Sequence, residues 1–130
     1  MNKERLSKLA GDLLDIPSRI SEIQGRILDH NEEIQTTNNE ISQIEATIKS
    51  EIGAQLDDNG KKLYTNAESR EAAFVEISNS NQELVSKRNR LSSLQGYVSI
   101  ERIKMESLSN EQRNIRAVLY FFGGSFEDVV

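Results

Sequence analysis

The sequence has no cysteine, no tryptophan and one proline in 130 residues. Without cysteine there is no disulfide framework, no thiol nucleophile and no cysteine metal site, and a reducing, cytoplasmic setting is expected. Aromatic residues reach only 5%, a composition that suits elongated helices better than a thick core. No apolar run approaches the length of a membrane span, and the N-terminus lacks an apolar leader segment, so no membrane contact is expected. The single histidine, His30, cannot form a metal site alone, and Glu32 and Glu33 are not spaced to join it on one helix face. There is no glycine-rich phosphate loop and no Ser/His/Asp set; Gly123-Gly124 reads as a hinge. These absences predict a non-enzymatic protein with no cofactor and no metal.

What is present is charge and a long periodicity. Charged residues make up 28% and hydrophobic residues 36%, with a formal net charge of -5. The length predicts one domain, and the acidic balance argues against non-specific nucleic-acid binding by the chain as a whole. Apolar residues recur at Leu6, Leu9, Leu13, Ile16, Ile20, Ile23 and Ile27, then at Ile34, Ile41, Ile44 and Ile48. Steps of three and four alternate, and His30 and Thr37 fall where the pattern expects apolar side chains. A heptad repeat held this long predicts a coiled-coil arm over about residues 3–52. Pro17 removes one backbone hydrogen bond and predicts a joint in that arm. Gly53 is a stop signal.

A second arm is predicted over about 66–122. Thr65-x-x-Glu68 is a capping-box pattern, with Asn66 as the alternative cap. Apolar positions then run through Phe74, Ile77, Leu84, Leu91, Leu94, Val98, Met105, Leu108, Ile115, Leu119 and Phe122. A three-residue phase slip falls at Leu91-Leu94-Val98, next to Gly96. Between the arms lies a tip, 53–65, in which Asn59-Gly60 signals a two-residue type I′ turn. Folding back on it sets Asp58 against Lys61, Asp57 against Lys62 and Leu56 against Leu63, the pairs a small β-ribbon would use. The expected fold class is all-α: a long antiparallel coiled-coil helical hairpin with a β-turn or small β-ribbon at the tip. Residues 123–130 are expected to form a flexible tail.

Centring the hairpin on Asn59-Gly60 places Ile44 opposite Phe74, Ile41 opposite Ile77 and Ile34 opposite Leu84. The polar seam positions then also face each other, Thr37 with Asn81 and His30 with Arg88, as register-setting layers. From Ile20 to Ile52 seven acids (Glu22, Asp29, Glu32, Glu33, Glu40, Glu45, Glu51) stand against Arg26 and Lys49, and from Ser86 to Arg116 seven bases (Lys87, Arg88, Arg90, Arg102, Lys104, Arg113, Arg116) stand against Glu101, Glu106 and Glu111. That asymmetry favours their association.

A single seam leaves apolar surface wet, which predicts a homodimer or higher oligomer. The run Leu119-Tyr120-Phe121-Phe122 is the candidate oligomer contact, since successive residues cannot all face one partner. The candidate protein-contact residues at the tip are Lys61, Lys62, Tyr64 and Arg70. Their alternative role is only to make the turn and begin the helix. Lys87, Arg88 and Arg90 form a basic cluster that could touch nucleic acid or could simply pair with the acidic arm.

The stretch Asp57-x-Asn59-Gly60-Lys61-x-x-Tyr64-Thr65-Asn66-x-x-x-Arg70-x-Ala72 resembles a segment of small coiled-coil proteins encoded in bacteriophages and prophages. There, a D-x-x-G-K-x-x-Y-[ST]-N-x-x-x-R motif joins two long charged helices. The resemblance covers about sixteen residues at the motif, with a general helix–turn–helix shape around it. It implies an accessory factor of a recombination or replication module and carries over no catalytic residue. A weaker resemblance is to prefoldin subunits, which also join two long helices through β-hairpin elements and would imply a chaperone holdase. The connection here is shorter and more polar than theirs.

Overall fold

The computed structural model describes residues 2–122; the expected tail, 123–130, lies outside the described residues. The fold is all-α, built from α1 (Lys3–Ala54), α2 (Ala67–Ser80) and α3 (Gln82–Phe121). The described residues divide into two compact units, one holding those up to His30 and from Tyr97 to Phe122, the other Asn31–Gly96.

In the first unit the core is Leu6, Ile16 and Ile23 of α1 against Leu108, Ile115 and Leu119 of α3, with Leu13, Ile20 and Met105 packed around it. In the second, Ile41, Ile48 and Ile52 of α1 enclose Ala73 of α2 and Leu84 of α3, with Phe74, Ile77 and Leu91 beside them. All of these except Ile52 and Ala73 are positions of the apolar pattern of threes and fours. Every seam position from Leu6 to Ile48, His30 and Thr37 included, is buried or half-buried, as is every one from Leu94 to Phe122. Each buried Leu or Ile contributes about 1.5–3 kcal/mol relative to exposure, so this single stripe supplies most of the apolar stabilisation.

α1 runs through Pro17 without a break in helical assignment. The expected joint is a missing hydrogen bond, because Pro17 has no N–H to donate to the Leu13 carbonyl. Pro17 is exposed, so its ring displaces nothing in the core.

The second arm is two helices where one was expected. The break is at Asn81, whose backbone is extended (φ -78°, ψ 107°). The run Ser78-Asn79-Ser80-Asn81 explains it, since short polar side chains compete for backbone hydrogen bonds. The Ser80 hydroxyl donates to the carbonyls of Glu76 and Ile77. The Asn81 N–H donates to the Ile77 carbonyl, closing α2, and its side-chain oxygen accepts the Leu84 N–H at 2.9 Å. One residue thus ends α2 and caps α3. At the start of α2 the cap is Asn66, not Thr65: its side chain accepts the Ser69 N–H at 2.7 Å and Ser69 reciprocates.

Candidate functional site

The loop from Gln55 to Asn66 holds the tip residues. Its geometry is set by Asp57. The Asp57 carboxylate accepts the N–H groups of Asn59 (2.9 Å) and Lys61 (3.0 Å). Its backbone N–H donates to the Lys61 carbonyl at 2.7 Å, and its carbonyl accepts the Gly60 N–H at 3.0 Å. Within this loop only Gly60 is left-handed, at φ +77°. This is a three-residue connection ending in a left-handed glycine, not the type I′ turn expected from Asn59-Gly60, which needs positive φ at both residues.

The extra loop residue shifts the return arm by one. Leu56 bridges to Lys62 rather than to Leu63, and this isolated bridge takes the place of a ribbon. A one-residue slip exchanges the faces of paired side chains. Leu56 and Leu63 therefore do not cover each other: they are 57% and 44% exposed. Lys61, Lys62 and, in the first turn of α2, Arg70 are also exposed, whereas Tyr64 is half-buried and packs on the core of its unit. Of the four predicted tip residues, three are available to a partner. Sequence reasoning missed Leu56 and Leu63 because the assumed register paired them.

Gly60→Ala tests this geometry. A Cβ at Gly60 would meet no atom within 4 Å, so any cost is conformational. The left-handed region costs a non-glycine residue about 1–2 kcal/mol, and a loss of that size is expected in chemical denaturation. Asn59→Ala, at a position with ordinary φ, should lose less.

The basic cluster is engaged. Lys87 bonds Glu40, Arg88 bonds Glu45 at 3.4 Å and Arg90 bonds Glu33 at 2.7 Å. The hydrogen bond to Glu40 pushes the Lys87 ammonium above the usual lysine range. In the other unit Arg26 reaches Glu101 at 3.1 Å, and that hydrogen bond holds the Glu101 carboxyl below the usual carboxylate range. The pairs of Lys87, Arg88 and Arg90 join bases of the second arm to acids of the first, whereas Arg26–Glu101 runs the other way.

The polar layers find other partners. His30 stacks on Tyr97, with ring centroids 5.6 Å apart. Tyr97 lies about two and a half helical turns beyond Arg88 on α3. Asn81 borders a shallow groove with Gln43, Ile44 and Thr47. The assumed register took the tip as symmetric about Asn59-Gly60. α1 instead runs on to Ala54 while α2 waits until Ala67, so that residues of α1 meet partners later in the sequence than that symmetry would set. The His30 Nδ1 atom is buried and has no hydrogen-bond partner among the described residues.

At the far end of α3, Leu119 is buried and Phe122 packs on the core of its unit. Tyr120 and Phe121 are 88% and 81% exposed. A surface groove of about 480 Å³ is lined by Arg19, Glu22, Arg26, Lys104 and Glu111 among others. Among the described residues no three His, Asp or Glu side chains are grouped to hold a metal, and no helix is long and apolar enough to cross a membrane. The accessible chemistry is that of surfaces: exposed leucines beside lysines at the loop, and exposed aromatics at the end of α3. No family model, curated protein or solved structure matches the chain.

Proposed function

We propose that the chain is a non-enzymatic adaptor, an antiparallel coiled-coil hairpin that contacts a protein partner through its connecting loop and associates with a second copy of itself. The observation that carries the adaptor reading is the exposure of Leu56 and Leu63 beside Lys61 and Lys62, on a loop that Asp57 ties down with hydrogen bonds. A preorganised loop that presents apolar side chains loses little ordering entropy on binding. The resemblance of this same loop to a phage-protein motif supports an accessory role of that type.

Contacts inside each unit support the hairpin reading. Arg26 meets Glu101 and His30 meets Tyr97; Glu33 meets Arg90 and Lys49 lies over Phe74. In both, numbers rise on α1 as they fall on the partner. Nucleic-acid binding through Lys87, Arg88 and Arg90 is the weaker reading, because each already bonds a glutamate. A prefoldin-like holdase is weaker still, since the described residues contain no strand to assemble a platform.

Affinity capture from the source cell tests the adaptor reading. Wild-type chain should retain a protein that the Leu56→Asp/Leu63→Asp variant loses, and titration of the purified pair should show affinity reduced at least tenfold. A partner retained equally by the variant, with its melting curve unchanged, would rule the loop out as the contact.

A further inference from the structure

α3 carries a second seam on the side away from its core. It runs from Ser86 to Ala117 at alternating steps of three and four, through Ser93, Gly96, Ile100 and Ile103. Every position on it is exposed, with Ile100 at 52% and Ile103 at 66%. None is charged, although 28% of the chain is. The solvent face of a helix normally collects charge. This one carries a neutral strip with a pair of isoleucines at its middle. The strip lies on one helix and is read along that helix alone.

The order of residues on the strip identifies what covers it. Outward in both directions from the Glu101–Arg102 peptide bond, the seam nearly mirrors itself. Ile100 mirrors Ile103, Gly96 mirrors Ser107, Ser93 mirrors Asn110 and Asn89 mirrors Asn114. A two-fold axis requires this symmetry, because residue i must meet j while j meets i. Two antiparallel copies of α3 would set isoleucine on isoleucine at the axis, a small glycine–serine layer on either side, and asparagine against asparagine further out.

The flanking residues agree. The same axis brings Tyr97 to Lys104 of the second copy, a cation–π pair, and sets Glu111 of that copy beside Arg90, which keeps its bond to Glu33. Parallel copies would instead set Glu106 beside Glu111, like against like. We propose that the chain forms an antiparallel homodimer through this outer face of α3, centred on Ile100 and Ile103. This rests on the reading that the chain self-associates and moves the contact from the Leu119 to Phe122 run to the middle of α3. About 48 Å of helix at 10 Å width is roughly 500 Å² per chain, at the low end for a stable interface, so a micromolar dissociation constant is expected.

Sedimentation velocity of the full chain at tens of micromolar should show a dimer. Ile100→Asp/Ile103→Asp should return it to monomer, raising the dissociation constant at least a hundredfold with helical circular dichroism unchanged. Because the chain has no cysteine, single-cysteine variants report direction. Ser93→Cys mixed with Asn110→Cys should crosslink as a heterodimer under mild oxidation, with neither variant crosslinking efficiently to itself. A monomeric wild type would overturn both this interface and self-association. A dimer that survives the double aspartate substitution would overturn this interface alone. Crosslinking of each cysteine variant to itself in preference to the mixture would overturn the antiparallel arrangement.

Discussion

Leu84→Ala is expected to lower the unfolding free energy by about 2–5 kcal/mol, the range for removing a fully buried leucine from a core that cannot collapse around the gap. Leu84 has 0% exposure. It stands in the first turn of α3, where the Asn81 side chain fixes its backbone N–H, and it is the α3 member of a core otherwise made by α1 and Ala73 of α2. Its position joins three helices at one side chain. A domain of this size has about 5–15 kcal/mol of stability in all, so the loss takes a large fraction. Urea denaturation followed by circular dichroism reads it directly. Leu14→Ala, at a leucine 82% exposed, is the matched control and should change stability by less than about 0.5 kcal/mol. Equal effects at the two sites would mean that Leu84 is not in the core.

The second expectation has the opposite sign. Pro17→Ala should stabilise the chain by about 2 kcal/mol. Proline in a helix interior costs about 3 kcal/mol through the lost hydrogen bond and the clash with the carbonyl four residues back. Its restriction of the unfolded chain returns about 0.4–1 kcal/mol. Pro17 is inside α1, with helix on both sides, and its exposed ring packs into neither core. Alanine would donate to the Leu13 carbonyl and lose no contact. The gain should appear as a higher thermal midpoint and a higher urea midpoint with an unchanged m-value. A fall in stability would mean that the native backbone at residue 17 needs the proline ring.

What could be read in the sequence was what depends on periodicity. The positions of Leu6, Ile16, Ile23, Leu108 and Ile115 in the core follow from the alternation of threes and fours, because burial on a helix has that period whatever the side chains around it do. The features that escaped depend on local competition for hydrogen bonds. Asn81 sits in phase with the seam, as a polar layer would, yet its side chain caps Leu84 and its backbone leaves the helix. The clue was the run Ser78-Asn79-Ser80-Asn81, four weak helix formers in a row. At the loop, Asn59-Gly60 marked the turn correctly in place but not in type, because the decisive group was the carboxylate of Asp57. That single side chain shifted the pairing by one residue and exposed the two leucines. The partners of His30 and Arg88 could not be read, since register accumulates every residue spent in the loop.

The interruption at Asn81 also sets where the chain can tolerate a change in length. An inserted residue inside an α-helix rotates everything downstream by about 100°. In α1 that would carry a whole seam out of its core, since nothing between Lys3 and Ala54 leaves the helical path to absorb the turn. Between Ala54 and Phe121 the backbone leaves the helical path at two places, the Gln55–Asn66 loop and Asn81. There a gained or lost residue can be taken up by a few backbone angles while α3 keeps its facing. Among natural variants of this chain, insertions and deletions should gather at those two points, and α1 should keep its length.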